Sequence, residues 1–175
     1  MKIAIYINNE NITDIDCINL KNGNPGIGGT EYCILLLAQV FKEYYPEDFL
    51  VLIASKKGKF PKVDEVILQG DLLQVPNEVQ RIEADFLVIS SVYRGKPLPK
   101  EFMVVSETLG LKLITWGHNF YLNDFCNLLS KSKAVVANVF VGRQQYDRYI
   151  DHRIIHKSTY IYNMYPDVTD KIRTT

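Results

Sequence analysis

Apolar positions along the chain fall into two kinds of segment, and the two alternate from the amino terminus onward. One kind is short, rich in β-branched or aromatic residues and nearly unbroken, at 2–8, 49–55, 65–70, 85–91, 112–118, 134–140 and 158–163. A strand covered on one face alternates apolar with polar, whereas one covered on both faces is apolar almost throughout. The other kind carries a helical stripe. Over 30–45, Cys33, Leu36, Leu37, Val40, Phe41 and Tyr44 recur at spacings of three and four, which predicts one apolar face. Shorter helical patterns occupy 76–83 (with Pro76 at the start), 120–131 and 141–150, while 97–110 reads equally as helix or loop. Strands alternating with helices predict an α/β fold. The form expected is a Rossmann-like open parallel sheet of six or seven strands, helices on both faces and the first strand in the interior. No repeat, low-complexity tract or linker interrupts the 175 residues, so one domain is expected over 1–175.

Composition narrows the partners. Hydrophobic residues make up 47% and charged residues 23%, an ordinary globular balance. Twenty basic residues offset twenty acidic ones, so no nucleic-acid partner is expected, since such partners call for a basic excess. The three cysteines, Cys17, Cys33 and Cys126, lack close spacing and read as reduced, buried thiols. No apolar run approaches the roughly 20 residues that span a bilayer. "MKIAIYINNE" turns polar too early for a signal peptide and reads as a strand. A cytoplasmic location is the expectation, with room for peripheral contact at the inner face of the cell membrane.

The most informative loop is "GIGGTE", Gly26 to Glu31, which opens the long helical stripe. It is not a dinucleotide fingerprint: Glu31 stands where a third glycine belongs, and the loop comes almost twenty residues after the first strand. A Walker-type G-x-x-x-x-G-K-[ST] run is absent as well. Gly28 and Gly29 permit close backbone approach and positive φ, Thr30 is a good N-cap, and Glu31 suits the first turn. The exposed N–H groups there form an anion site, or the loop is only a turn and a cap.

Four stretches together resemble the family-4 glycosyltransferases, a large retaining group with the GT-B fold. "GGTE" (28–31) is similar to the loop that opens their first long helix. "LITWGHN" (113–119) looks like their strand ending in histidine, and "AVVANVFVGRQQYDRYI" (134–150) like their strand and following helix. "KSTYIYNMYPD" (157–167) is similar to the strand that leads to the hinge between their two domains. Asn138 replaces the family's usual serine, and Met164 follows Asn163 where glycine is usual.

The resemblance implies the amino-terminal, acceptor-side half of a transferase, with the nucleotide-binding second domain absent from this chain or supplied by a partner. The donor would be a nucleoside diphosphate sugar and the acceptor a carbohydrate or lipid-linked sugar, with no metal and no cofactor. Gly28, Gly29, Thr30 and Glu31 would contact the donor. His118 would lie beside the donor sugar as the catalytic group, on the same sheet edge as the glycines. Trp116, Asn138 and Arg143 would serve the acceptor.

Each of these has a plainer reading: His118 hydrogen-bonded in a loop, Trp116 in the core, Arg143 on a solvated helix face. His152 and His156, four apart, have no further metal ligand near them in sequence. A non-catalytic Rossmann-like binding or interaction module is the alternative function.

Overall fold

A computed structural model describes residues 1–163 of the chain. The strands in chain order are β1 (Lys2–Ile7), β2 (Phe49–Ala54), β3 (Glu65–Leu68), β4 (Phe86–Ser90), β5 (Val92–Tyr93), β6 (Lys96–Pro97), β7 (Leu113–Gly117), β8 (Val135–Phe140) and β9 (Ser158–Tyr160). Seven of them form one parallel sheet in the order β3-β2-β1-β4-β7-β8-β9. These seven are the segments that the apolar pattern predicts. The first strand is interior, as expected: β1 pairs with β2 on one side and β4 on the other. Its residues Ala4–Ile7 are all buried, which is why they carry no polar alternation.

The helices are α1 (Gly29–Tyr44), α2 (Val75–Arg81), α3 (Lys100–Thr108), α4 (Asn123–Lys131) and α5 (Arg143–Asp147). One face of the sheet packs Ile5, Ile7, Leu50 and Leu52 against α1 and the loop before it. The other packs Ala4, Val51, Leu87 and Leu113 against α2, α3 and α4. This unequal split follows from right-handed crossovers. The β1→β2 connection steps one way along the sheet, while those from β3 to β4 and onward to β8 step the other way. Their helices therefore land on the opposite face. Among the described residues no helix is long and apolar enough to cross a membrane.

Some boundaries differ from expectation. The ambiguous 97–110 contains α3, whose Phe102, Met103 and Ser106 face the core. The pattern over 141–150 yields a helix of five residues, and β9 stops at Tyr160. The hairpin β5–β6 is not expected from periodicity at all. Its turn residues, Arg94 and Gly95, have φ of +49° and +75°, the doubly left-handed geometry of a two-residue hairpin. Met164 and the hinge segment through Asp167 lie outside the described residues.

A buried knot steadies the end of β1. Asn9 is fully buried; its carboxamide oxygen accepts from the Ser55 hydroxyl at 3.0 Å and the Lys56 N–H at 2.8 Å. Its amide donates to the Lys56 carbonyl at 2.9 Å. The loop after β1 is thereby tied to the end of β2, which fixes where Asn8 and Glu10 project.

Candidate functional site

The chain runs outward from β1 to β3, then returns to the other side of β1 and continues away from it. At that switch the connections leaving β1 and β4 diverge, and open α/β sheets place ligands in the crevice so formed. Here it is a cleft of about 370 Å³ at the carboxyl ends of the two strands. Tyr6 and Ser90 lie at its base, Thr30 and Glu31 come from α1, and Tyr93 and Arg94 from the hairpin. Asn119, just after His118, also borders it.

The wall built by α1 depends on Asn24. Its side-chain oxygen accepts from the Gly26 and Ile27 N–H groups, both at 2.9 Å, and its amide donates to the Ile27 carbonyl at 3.0 Å. This side-chain turn delivers the chain into the helix earlier than the sequence suggests. Gly28, not Thr30, is the N-cap, and its carbonyl accepts the first helical bond from the Tyr32 N–H. Gly28 has φ −58°, so neither it nor the helical Gly29 uses the left-handed freedom expected of the pair.

What Gly28 supplies is room. The Glu31 carboxylate folds back against it, into the space a Cβ would take. The positive end of the α1 dipole thus already holds an anion of its own. The helix start is therefore not the open cradle of N–H groups that the sequence suggests. It presents a carboxylate and a hydroxyl, Glu31 and Thr30, to the cleft.

His118 follows the carboxyl end of β7, on the same sheet edge as the start of α1. Its ring packs on Trp116 with centroids 5.1 Å apart, and its Nε2 is buried without a hydrogen-bond partner. Burial lowers its pKa from 6.5 to about 4, so the imidazole is neutral at physiological pH.

The residues expected at the acceptor are not gathered here. Trp116 is 5% exposed and packs in the α1-side core, closing its ring face to a sugar. Asn138 is fully buried; its side-chain oxygen accepts from Thr115 at 2.8 Å and Tyr121 at 3.1 Å. The strand pleat turns both inward, and their resemblance to family positions carries no information on that direction. Arg143 is exposed and pairs with Asp147 at 3.4 Å, which is the plain helix-surface reading. His152 caps a 3₁₀ turn by accepting from the Ile154 N–H at 3.1 Å. Among the described residues no group of three potential ligands is placed to hold a metal. Cys17, Cys33 and Cys126 are free and buried.

Tyr6, Glu10 and Arg94 are among the cleft residues that the sequence does not single out. The Arg94-Gly95 pair is a weak turn signal and bears on Arg94 alone. Tyr6 is 3% exposed, yet its hydroxyl forms no well-aligned hydrogen bond, although the Tyr93 side chain lies close enough to interact with it. Burying an unpaired hydroxyl costs about 1–3 kcal/mol. Tyr6→Phe is therefore expected to leave stability unchanged or raise it by up to about 1 kcal/mol, read as the urea midpoint. A loss above about 1 kcal/mol would reveal a partner for that hydroxyl.

No family model matches the chain, and no curated protein matches its sequence.

Proposed function

We propose that this chain is the acceptor-side domain of a nucleotide-sugar-dependent glycosyltransferase. It would work with a nucleotide-binding half located in the same polypeptide or in a partner chain. The observation that carries the reading is the cleft at the sheet's switch point, bordered by a glycine-led helix start. Apart from the Arg94 guanidinium, its polar side chains are carboxylates, carboxamides and hydroxyls, Glu31, Asn8, Asn119 and Thr30 among them. Such groups suit a polyhydroxylated ligand, because each takes or gives hydrogen bonds to hydroxyls without demanding a charged partner.

The reaction would move a hexosyl unit from a nucleoside diphosphate sugar to a hydroxyl of a polysaccharide or lipid-linked acceptor. His118, neutral and next in sequence to the cleft-lining Asn119 but not itself in the lining, would hydrogen-bond the transferring sugar rather than supply charge. A lipid-linked acceptor would bring the domain to the inner surface of the membrane. Phe120 and Leu122, exposed on the loop that carries His118, would meet that surface.

A sugar-binding module without catalysis is the second reading. In its favour, Arg94 is the one cation among the described residues that border the cleft. That is little positive charge for stabilising a departing diphosphate, so an enzyme would draw the remainder from its second half.

The test is sugar transfer across a panel of nucleotide sugars by the complete gene product, together with any partner chain that co-purifies. Residues 1–175 alone are expected to give no turnover and at best millimolar donor affinity, since ribose and base contacts would lie elsewhere. Sugar binding by the complete protein without transfer would favour the module. Turnover by residues 1–175 alone would show that the active site is misplaced.

A further inference from the structure

Glu10 and Arg94 meet at the cleft, one from the loop after β1 and the other from the β5–β6 turn. The guanidinium donates from Nε to Oε2 at 2.9 Å and from Nη2 to Oε1, a forked pairing between residues 84 apart in sequence. Its setting differs from that of a common surface ion pair. Arg94 has φ +49°, a backbone region that disfavours any residue carrying a Cβ. It is the one cation among the described cleft-lining residues, and the Tyr6 hydroxyl lies in the same cleft. A fork satisfied by an internal carboxylate, beside a buried hydroxyl that faces the Tyr93 side chain without forming a well-aligned hydrogen bond, suits an oxyanion with three acceptor oxygens.

We propose that the cleft binds a phosphoryl group on Arg94 and Tyr6, and that Glu10 holds the Arg94 guanidinium until that group displaces it. The inference rests on reading this cleft as a glycosyl-ligand site and adds the anionic part of the ligand. Glu10 offers two oxygens and one charge. A phosphate monoester or diphosphate offers more of both: two oxygens engage the fork and a third accepts from the Tyr6 hydroxyl. The remaining acid also sets direction. Glu31 belongs to α1 on one face of the sheet, whereas Tyr93, beside Arg94, packs with the core of the other. The phosphoryl group therefore lies toward the hairpin, and the sugar hydroxyls lie toward Glu31.

The phosphate belongs either to the donor's diphosphate or to a phosphorylated acceptor, and two ligands separate these. Residues 1–175 are titrated at low salt with methyl α-glucoside, glucose 1-phosphate and inorganic pyrophosphate. The wild type is expected to bind one or both phosphate ligands at least about tenfold more tightly than the glucoside. Pyrophosphate ahead of the monoester assigns the donor, and the reverse assigns the acceptor.

Arg94→Gly suits the left-handed turn, so it preserves the hairpin while abolishing the phosphate preference. Tyr6→Phe weakens phosphate binding about threefold or more, without loss of stability. Glu10→Gln is the decisive variant: removing the competitor tightens phosphate binding by about three- to tenfold, and the gain disappears when Arg94→Gly is added, whereas simple loss of a repelling charge would persist there.

The proposal is overturned if the phosphate ligands bind no better than the glucoside, if neither binds, or if Glu10→Gln leaves phosphate affinity unchanged or lower. Glucoside binding without a phosphate preference overturns it while leaving the glycosyl reading intact. Sugar transfer by the complete protein is scored separately.

Discussion

Gly117→Ala is expected to lower stability by about 3 kcal/mol, at the upper end of what overpacking costs. Gly117 ends β7 and is buried, and a Cβ placed on it would fall inside the phenol of Tyr121. The overlap includes the hydroxyl and the ring carbon that bears it, 2.6 Å away. Tyr121 has no room to retreat. Its hydroxyl is held by Asn138, its ring stands edge-on to Phe125 at 5.1 Å, and Phe140 lies 5.4 Å from it. Its main chain is pinned too, because the Tyr149 hydroxyl accepts from the Tyr121 N–H and donates to the Tyr121 carbonyl.

The strain would pass to the backbone at His118, so the cleft edge would shift along with the core. For a chain of this size the melting temperature should fall by roughly 10 °C, and the urea midpoint should drop with an unchanged slope. Combining Gly117→Ala with Tyr121→Phe should cost less than the sum of the two, since the worst of the overlap is with the oxygen. A Gly117→Ala protein within about 0.5 kcal/mol of wild type would mean that the Tyr121 packing is wrong.

Much of this architecture is visible in the sequence because the sheet is parallel and mostly covered. Leu50 to Ala54 are all fully buried, and a short unbroken apolar run of this kind, bounded by polar residues, fits a strand covered on both faces. The stripe of α1 is similarly direct, except that Tyr44, its last member, is 74% exposed where the helix runs past the sheet. The hairpin is invisible for the opposite reason. Its strands have two residues each, too few to show a period, and Arg-Gly is not among the strongest turn pairs.

The cleft is legible only in part. Thr30 and Glu31 sit beside a glycine pair that draws notice, but Tyr6, Glu10 and Arg94 come from separate stretches that only the β1–β4 pairing unites. Trp116 and Asn138 show the limit of likeness between strand ends. A resemblance aligns positions along the chain, while the pleat decides which way a side chain points.

His118 should make stability depend on pH in a defined window. The native ring, kept neutral by burial, protonates only near pH 4, whereas in the unfolded chain it does so near 6.5. Between those values the unfolded state binds more protons, so protonation pulls the equilibrium toward unfolding. The contribution is fully present above pH 6.5, declines as pH falls through the window, and is gone below about 4. Undiscounted, such a shift corresponds to about 3 kcal/mol, and because the ring is partly exposed to solvent about 2 kcal/mol is expected.

His118→Gln should lack this component while retaining the other acid-sensitive groups. Urea midpoints for the two proteins should therefore converge, or cross, as pH is lowered from 7.5 to 4. Curves that stay parallel over that range would mean the imidazole is hydrated in the native state. It would then carry charge below pH 6.5, and the uncharged hydrogen-bonding role at the cleft would fail with it. A ring that remains neutral can meet a sugar hydroxyl equally well at pH 5 and pH 8. Ligand affinity attributable to His118 should accordingly stay flat across that interval.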